Sequence, residues 1–349
     1  MPDVTFDAGG LCSFCVGHDQ WRARLEDRDR LSRIWRDKLA RYRGQGPFDA
    51  LCGLSGGKDS TYVLYELVRR YGLTVKVVTV ENGFMTDWAR AGIERTVADL
   101  GVAHEYVAWP RPQLAALYLS SLRATGGICT ACAYSTFATL LSLAGAAGIP
   151  MVVHGRSPAQ MVRFLGEGSR DPFIPFLRAA LQEADAVDVA ATYAGVRAAM
   201  ARNIPPAQWP HLARLLPDDR GGRAPDFVPF FLYHAYAPGP MVASLERTTS
   251  WRRPARFSPL AHYDCRACSA SSYLSQLAEG RPHLLPDVSA AIRLGEMTRE
   301  DGRRRLDEER FTAAPAESLA ELAAFVERPP AELMAMARAA GRRRPPSPA

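Results

Sequence analysis

The chain has 349 residues, of which 47% are hydrophobic, with a net charge of +6 and seven cysteines. It is long enough for a large core or two domains, and its apolar content is ordinary for a globular protein. Met1–Gly10 has no apolar core and no run of about eighteen apolar residues stands out, so neither a signal peptide nor a membrane span is expected.

Much of the positive excess lies in Arg303–Arg305 and Arg342–Arg344, the second within a Pro-rich tail (341–349) that reads as disordered. Basic clusters can bind RNA. No RNA-binding module accompanies these, and a solvated helix face with a frayed tail accounts for them, so tRNA is not an expected partner.

In chain order, 1–45 is a leader. Val4–Cys15 reads as a short extended piece running into a turn that carries Cys12 and Cys15. Asp19–Tyr42 follows as one charged helix with an apolar stripe through Trp21, Leu25, Leu31, Ile34, Trp35 and Leu39. Residues 46–159 alternate strand and helix. Phe48–Leu54 is an apolar strand, followed by Leu54-Ser-Gly-Gly-Lys-Asp-Ser-Thr61. In Tyr62–Arg70 the residues Val63, Leu64, Leu67 and Val68 recur at helical spacing, and Gly72 stands at the C-cap position. Val75–Val80, Ala103–Ala108 and Pro150–His154 are further strands, and Trp88–Leu100 is a helix. Such alternation predicts a parallel sheet with helices on both faces, a Rossmann-like α/β fold, with ligands bound beyond the C-terminal strand ends. Leu54, Val80 and His154 lie at those ends. Residues 160–256 change character, with prolines breaking up helical pieces into an irregular insertion and Met241–Arg256 returning to extended structure. Residues 257–340 begin with Cys265 and Cys268 and then read as helices at Tyr273–Gly280, Val288–Leu294, Arg299–Glu309 and Leu319–Arg328.

The stretch Ser55–Thr61 is a strand, a glycine turn and a helix start. Glycines let backbone approach a ligand, and helix N-terminal amides attract phosphate. A Walker A loop is excluded, because Cys52 and Asp59 stand where that pattern needs a glycine and a Ser or Thr. Six of the cysteines form Cys-x-x-Cys pairs, Cys12/Cys15, Cys129/Cys132 and Cys265/Cys268, while Cys52 lies in the first strand and reads as buried. Pairs of this kind outside an oxidising compartment suggest metal or redox chemistry.

Ser55-Gly-Gly-Lys-Asp-Ser60 resembles the PP-loop of the ATP pyrophosphatases. The whole pattern resembles the N-acetyl sugar amidotransferase branch of that superfamily. The resemblance runs from Phe6-Asp7 and Gly10–Cys15, through Asn82-Gly83-Phe84 and Cys129-Thr-Ala-Cys132, to Asp287-Val-Ser289 and Ile292–Glu300. Three features depart from it. A Cys-x-x-Cys pair usual before the leader has no counterpart, Glu81 replaces an aspartate, and Arg156 follows Gly155 where an acidic residue is usual.

The resemblance implies a cytoplasmic enzyme that binds ATP with Mg²⁺. A carbonyl or amide oxygen attacks the α-phosphorus, pyrophosphate leaves, and ammonia or sulfide displaces AMP from the adenylated intermediate. Ser55, Gly56, Gly57, Lys58, Ser60 and Thr61 are the expected pyrophosphate contacts. Asp59 either caps the helix or holds Mg²⁺ through water. Asn82, Gly83, Phe84 and Gly155 are expected on the nucleotide, unless the first three merely make a strand-to-helix turn. Nitrogen transfer to a small-molecule substrate is the leading reading, with a separate glutaminase as ammonia source. Sulfur transfer from a sulfur-donor protein is the rival, and a nucleotide-binding regulator that consumes no ATP is the non-enzymatic alternative. A homodimer is compatible with all three.

Cys129 and Cys132 open a helix, which favours thiolate and suits a persulfide carrier or two ligands of a [4Fe-4S] cluster. The bland alternative is half a zinc site or two packed thiols. Cys12, Cys15, Cys265 and Cys268 make up the four sulfurs of one Zn²⁺ site that would clip the leader to the C-terminal helices. Otherwise Cys265 or Cys268 joins Cys129 and Cys132 as a third cluster ligand, or all four thiols are free of metal.

Overall fold

The structure, a computed structural model, describes residues 4–163, 174–182, 187–203, 216, 224–255 and 263–342. Strands β1 (Ala50–Gly53), β2 (Val75–Glu81), β3 (Ala103–Ala108), β4 (Met151–His154) and β5 (Asp226–Pro229) form one five-stranded sheet in the order β3-β2-β1-β4-β5. Every pair in it is parallel, as the alternating pattern predicts.

Both faces of the sheet are apolar, and the register sorts the side chains between them. Leu51 pairs with Val152 and Val152 with Phe227, and all three enter one core; Cys52, Val153 and Val228, one residue on, enter the other. The first core is closed by α5 (Arg111–Thr125), α6 (Cys129–Ala146) and the C-terminal helices Cys268–Glu279, Ala316–Val326 and Pro330–Arg342. The second lies under α2 (Arg28–Tyr42), α3 (Lys58–Tyr65), α4 (Asp87–Leu100) and the aromatic run Phe230–Tyr233. By length and mean hydropathy, 1.3 over 18 residues, α6 is apolar enough to cross a membrane. Here it packs on β1, β2 and β4, and that covering role accounts for its composition.

Several elements differ from expectation for identifiable reasons. The leader forms two helices, α1 (Ser13–Glu26) and α2, because the Asp27 carboxylate caps α2 by accepting the Arg30 amide. Helix α3 begins at Lys58 within the loop, and its end widens into a π-turn over Glu66–Arg70. Met241 lies in a helix, Pro238–Thr248, started by its prolines and capped at the far end by a backbone bond to Leu245, not in extended structure. Strand β5 and the Ile174–Ala180 and Val189–Asn203 helices come from the stretch read as an insertion, so the sheet continues beyond residue 159. Helix α5 has no counterpart among the sequence expectations. Pro172, Pro205, Pro206, Pro210, Pro217 and the tail from residue 343 lie outside the described residues.

Candidate functional site

Strand order reverses between β1 and β4, and a crevice opens where their C-terminal ends part. The crevice has a cavity volume of about 310 Å³, at the lower end of the range for small-molecule sites. One wall is the β1 loop with Ser55, Gly57, Lys58, Asp59 and Ser60; another is His154, Gly155 and Arg156 after β4.

The loop is braced from within. Ser55 N–H donates to Ser60 Oγ at 3.1 Å, Gly57 N–H donates to Ser55 Oγ at 3.3 Å, and Ser60 Oγ donates to the Gly57 carbonyl at 3.2 Å. From outside, Thr79 Oγ1 donates to the Leu54 carbonyl at 2.7 Å and the buried Trp251 indole donates to the Gly56 carbonyl at 3.0 Å. Gly57 is the N-cap of α3 and offers no side chain, so the first-turn amides of α3 carry no side-chain cap. Such amides are anion-binding donors. Lys58 is buried, with Nζ donating to Asp59 Oδ2 at 2.9 Å, which leaves Asp59 Oδ1 buried without a hydrogen-bond partner. Asp59 therefore does not cap the helix. Thr61 is also buried with its hydroxyl unpartnered, and neither it nor Gly56 lines the cavity.

Of the three residues expected beside the nucleotide after β2, only Asn82 reaches the cavity. Phe84 is a core residue whose ring lies 4.7 Å from that of Phe325. Gly83 has φ +83° and sits so close to Phe325 that a Cβ would lie 2.4 Å from the ring. These two build the turn and do not touch the cavity. Glu81 is tied to Arg90 in an ion pair.

The far wall comes from residues 263–265. Thr86 N–H donates to the Asp264 carbonyl at 3.2 Å, Arg266 N–H to the Phe84 carbonyl at 2.8 Å, and Cys265 pairs with Met85 as an antiparallel bridge. Tyr263, Asp264 and Cys265 are thereby laid along the cavity. The Asp264 carboxylate reaches over the loop, within 3.1 Å of where a Cβ on Gly57 would stand. Sequence reasoning missed Tyr263 and Asp264; their adjacency to Cys265 was the available signal.

Two Cys-x-x-Cys pairs meet behind this wall. Gly126 and Gly127 let the start of α6 approach the Cys268–Glu279 helix so closely that a Cβ on Gly127 would lie 2.3 Å from Ser275 Oγ. Ile128 N–H donates to Ser271 Oγ at 3.1 Å, and the Cys129 thiol does the same at 3.1 Å. Cys132 and Cys265 line the cavity, with Asn82 Nδ2 donating to Cys265 Sγ at 3.7 Å. Burial pushes the Cys129 thiol up, and the Ser271 hydrogen bond only partly offsets this. Burial and then the neighbouring Cys129 push Cys132 to about 11. Burial, followed by the surrounding thiols, pushes Cys265 and Cys268 well up. The thiolate expected at the start of α6 is therefore not favoured, because desolvation outweighs the helix terminus.

The shared zinc site is not formed. Cys265 and Cys268 face Cys129 and Cys132, whereas Cys12 and Cys15 lie beside Arg293. Among the described residues, no group of three or more His, Cys, Asp or Glu side chains is disposed to hold a metal ion.

No family model and no curated protein matches the chain. Among solved structures it is similar to the NH3-dependent NAD synthetase from Campylobacter jejuni, with TM-score 0.32 and 15% identity over 56% of this chain and 92% of that one. It is also similar to the U34-tRNA thiolase NcsA from Methanococcus maripaludis with its [4Fe-4S] cluster, with TM-score 0.35 and 12% identity over 86% and 87%. The NMN synthetase from Francisella tularensis matches with TM-score 0.32 and 12% identity over 82% and 96%. At these scores the likenesses carry no inference about this chain's chemistry.

Proposed function

We propose that the chain is a PP-loop ATP pyrophosphatase that adenylates a carbonyl or amide oxygen of a small molecule and then replaces that oxygen with nitrogen. The supporting observation is the Ser55–Ser60 loop, which lines the floor of a cavity at the switch point of the sheet, with Lys58 and the uncapped amides of α3 beside it. Those donors suit the charge that develops on departing pyrophosphate. The residues fit Mg²⁺·ATP: Asp59, whose Oδ1 has no hydrogen-bond partner, and Asp264 are the acidic residues lining the cavity. They would hold the cation, which would neutralise phosphate charge. Lys58, released from Asp59, would bind the leaving pyrophosphate. The stretch Ile292–Glu300 supports the amidotransferase branch and hence ammonia as nucleophile.

Sulfur transfer is the second reading, and one observation favours it. Cys132 and Cys265 open into the same cavity as the loop, and Cys129 and Cys268 stand behind them. Among the described residues these thiols are not disposed as metal ligands, so Cys132 would instead carry a persulfide, loaded by sulfane transfer from a donor protein's persulfide.

The test is product analysis with ATP, Mg²⁺ and a candidate substrate. AMP and pyrophosphate are expected, and Lys58→Ala should abolish both; ADP and orthophosphate would overturn the reading. A product lighter by about one mass unit marks nitrogen transfer, and one heavier by about sixteen marks sulfur transfer.

A further inference from the structure

Cys12 and Cys15 stand apart from the cavity, and no role there absorbs them. The chain reaches them through a tight turn: Asp7 Oδ1 accepts the Gly9 and Leu11 amides at 2.9 and 2.8 Å, and Phe6 pairs with Cys12 as an antiparallel bridge. Cys12 is extended and caps α1, its Sγ accepting the Cys15 amide at 3.4 Å. The two sulfurs lie 3.2 Å apart as free thiols. Among the described residues the large apolar side chains left exposed are Phe6 and Leu11, both just before Cys12.

A second observation comes from the other side of the pair. Arg293, at the end of the Leu285–Arg293 helix, donates through Nη1 to Ser289 Oγ at 2.8 Å, while its Nε and Nη2 are buried without a hydrogen-bond partner. A buried guanidinium with donors unmet is costly unless negative charge forms beside it. Cys12 and Cys15 are the ionisable groups whose charge, once formed, would act on this guanidinium. His18, one helical turn after Cys15, does not supply a competing cation, since burial and then Arg293 hold its ring neutral.

We propose that Cys12 and Cys15 form a redox-active dithiol that closes by exchange with a disulfide oxidant, with Arg293 as the counter-charge to the attacking thiolate. Cys12 attacks one sulfur of the external disulfide, giving a mixed disulfide and releasing one thiolate. Cys15 then attacks Cys12 Sγ, forming the internal bond and releasing the second. The pair loses two electrons, the external disulfide gains them, and the two thiol protons end on the two released thiols. Cys12 is the attacker because it holds the helix N-terminus and is more favoured as thiolate. Burial opposes that charge, but the Cys15 thiol, the Cys15 and Phe14 amides and Arg293 outweigh it. Cys15 is shifted the other way, by burial and then by its neighbour. That asymmetry divides attacker from resolver.

The test uses the full chain, reduced, desalted without oxygen and equilibrated with mixtures of oxidised and reduced glutathione, followed by acid quench, alkylation and peptide mass spectrometry. A Cys12–Cys15 disulfide is expected in the wild type, and a glutathione adduct on Cys12 in Cys15→Ser. Iodoacetamide should modify Cys12 about tenfold faster than Cys15; Arg293→Met should reduce that advantage and Arg293→Lys should restore most of it. Cys12 and Cys15 remaining thiols in the oxidising mixture, or one zinc per chain that is lost in Cys12→Ser, would overturn the proposal. None of these readouts depends on ATP turnover, so the outcome is independent of the proposed pyrophosphatase reaction.

Discussion

Trp251→Phe tests whether the loop is held from outside. The indole is fully buried and its Nε1–H is the hydrogen bond recorded to the Gly56 carbonyl, at 3.0 Å. Phenylalanine keeps the aromatic contact with Trp88, whose ring centroid lies 5.7 Å away, but leaves that carbonyl buried and unpaired. An unmet buried acceptor costs about 1–3 kcal/mol, and the smaller ring adds a void worth about 1 kcal/mol more. We therefore expect a loss of about 2–4 kcal/mol in urea unfolding with an unchanged m-value. Because the freed peptide directly precedes Gly57, ATP binding should weaken by about tenfold, the equivalent of a single lost hydrogen bond of 1.4 kcal/mol. Isothermal titration with ATP and Mg²⁺ on the folded variant reads this. A variant that loses stability but binds ATP as tightly as the wild type would show that Trp251 only fills the core.

Two further outcomes follow from buried charge. Lys38 is fully buried in an ion pair with Asp226, which also accepts from Tyr42 Oη at 3.1 Å. Lys38→Ala strands that carboxylate and should cost about 3–5 kcal/mol in denaturant unfolding, whereas Lys38→Met with Asp226→Asn should recover much of it; equal losses in both variants would refute the ion-pair account. Stability should also fall as pH drops below about 6.5, the ordinary histidine value. Burial lowers His154 well below that value and His234 to about 4, so the unfolded chain takes up protons that the folded one refuses, at about 1.4 kcal/mol per pH unit for each. Glu296, raised by burial to about 7, opposes this between its unfolded value and about 7, where the folded chain holds the extra proton. His234→Phe keeps the stack on Phe230 and should flatten the slope; an unchanged slope would refute the assignment.

The parallel sheet was legible because strand and helix periods alternate clearly through residue 108 and return at Pro150–His154. Strand β5 was not, since Asp226–Pro229 is four residues ending in proline, set among prolines that read as loop. Its place comes from the ladder with β4 and from Asp226 meeting Lys38 across 188 positions of sequence, which no local pattern encodes. The loop's strand–turn–helix shape was readable in Ser55–Thr61, but the split between residues that face the cavity and residues that pack was not. Gly56, Gly83 and Phe84 share motifs with cavity residues but pack against Ala89, Phe325 and Tyr118, and Thr61 is buried outside the cavity. The thiols teach the same lesson. Spacing paired the cysteines correctly two by two, yet which pair meets which depends on Gly126 and Gly127 admitting the Cys268–Glu279 helix.

The charge arrangement around the cavity follows from the same long-range docking. At the end of β4 the resemblance calls for an acidic residue, and Arg156 stands there instead, its guanidinium 5.9 Å from the Phe137 ring centroid. An arginine beside Lys58 would leave the crevice with two cations and Asp59 alone for a metal. Asp264 changes that balance from the opposite wall, because residues 263–266 are pinned to Phe84, Met85 and Thr86 by backbone bonds that do not depend on side-chain identity. Asp264 thus sets a carboxylate over Gly57, within 3.1 Å of where a Cβ there would stand. The cavity carries the cations Lys58 and Arg156 together with the carboxylates of Asp59 and Asp264, a mix that suits the Mg²⁺·ATP of the proposed reaction. Moving the carboxylate to the β4 end, Arg156→Asp with Asp264→Asn, should preserve ATP cleavage better than Asp264→Asn alone, measured as pyrophosphate release. If the double variant is no better than the single one, the two positions do not share the role.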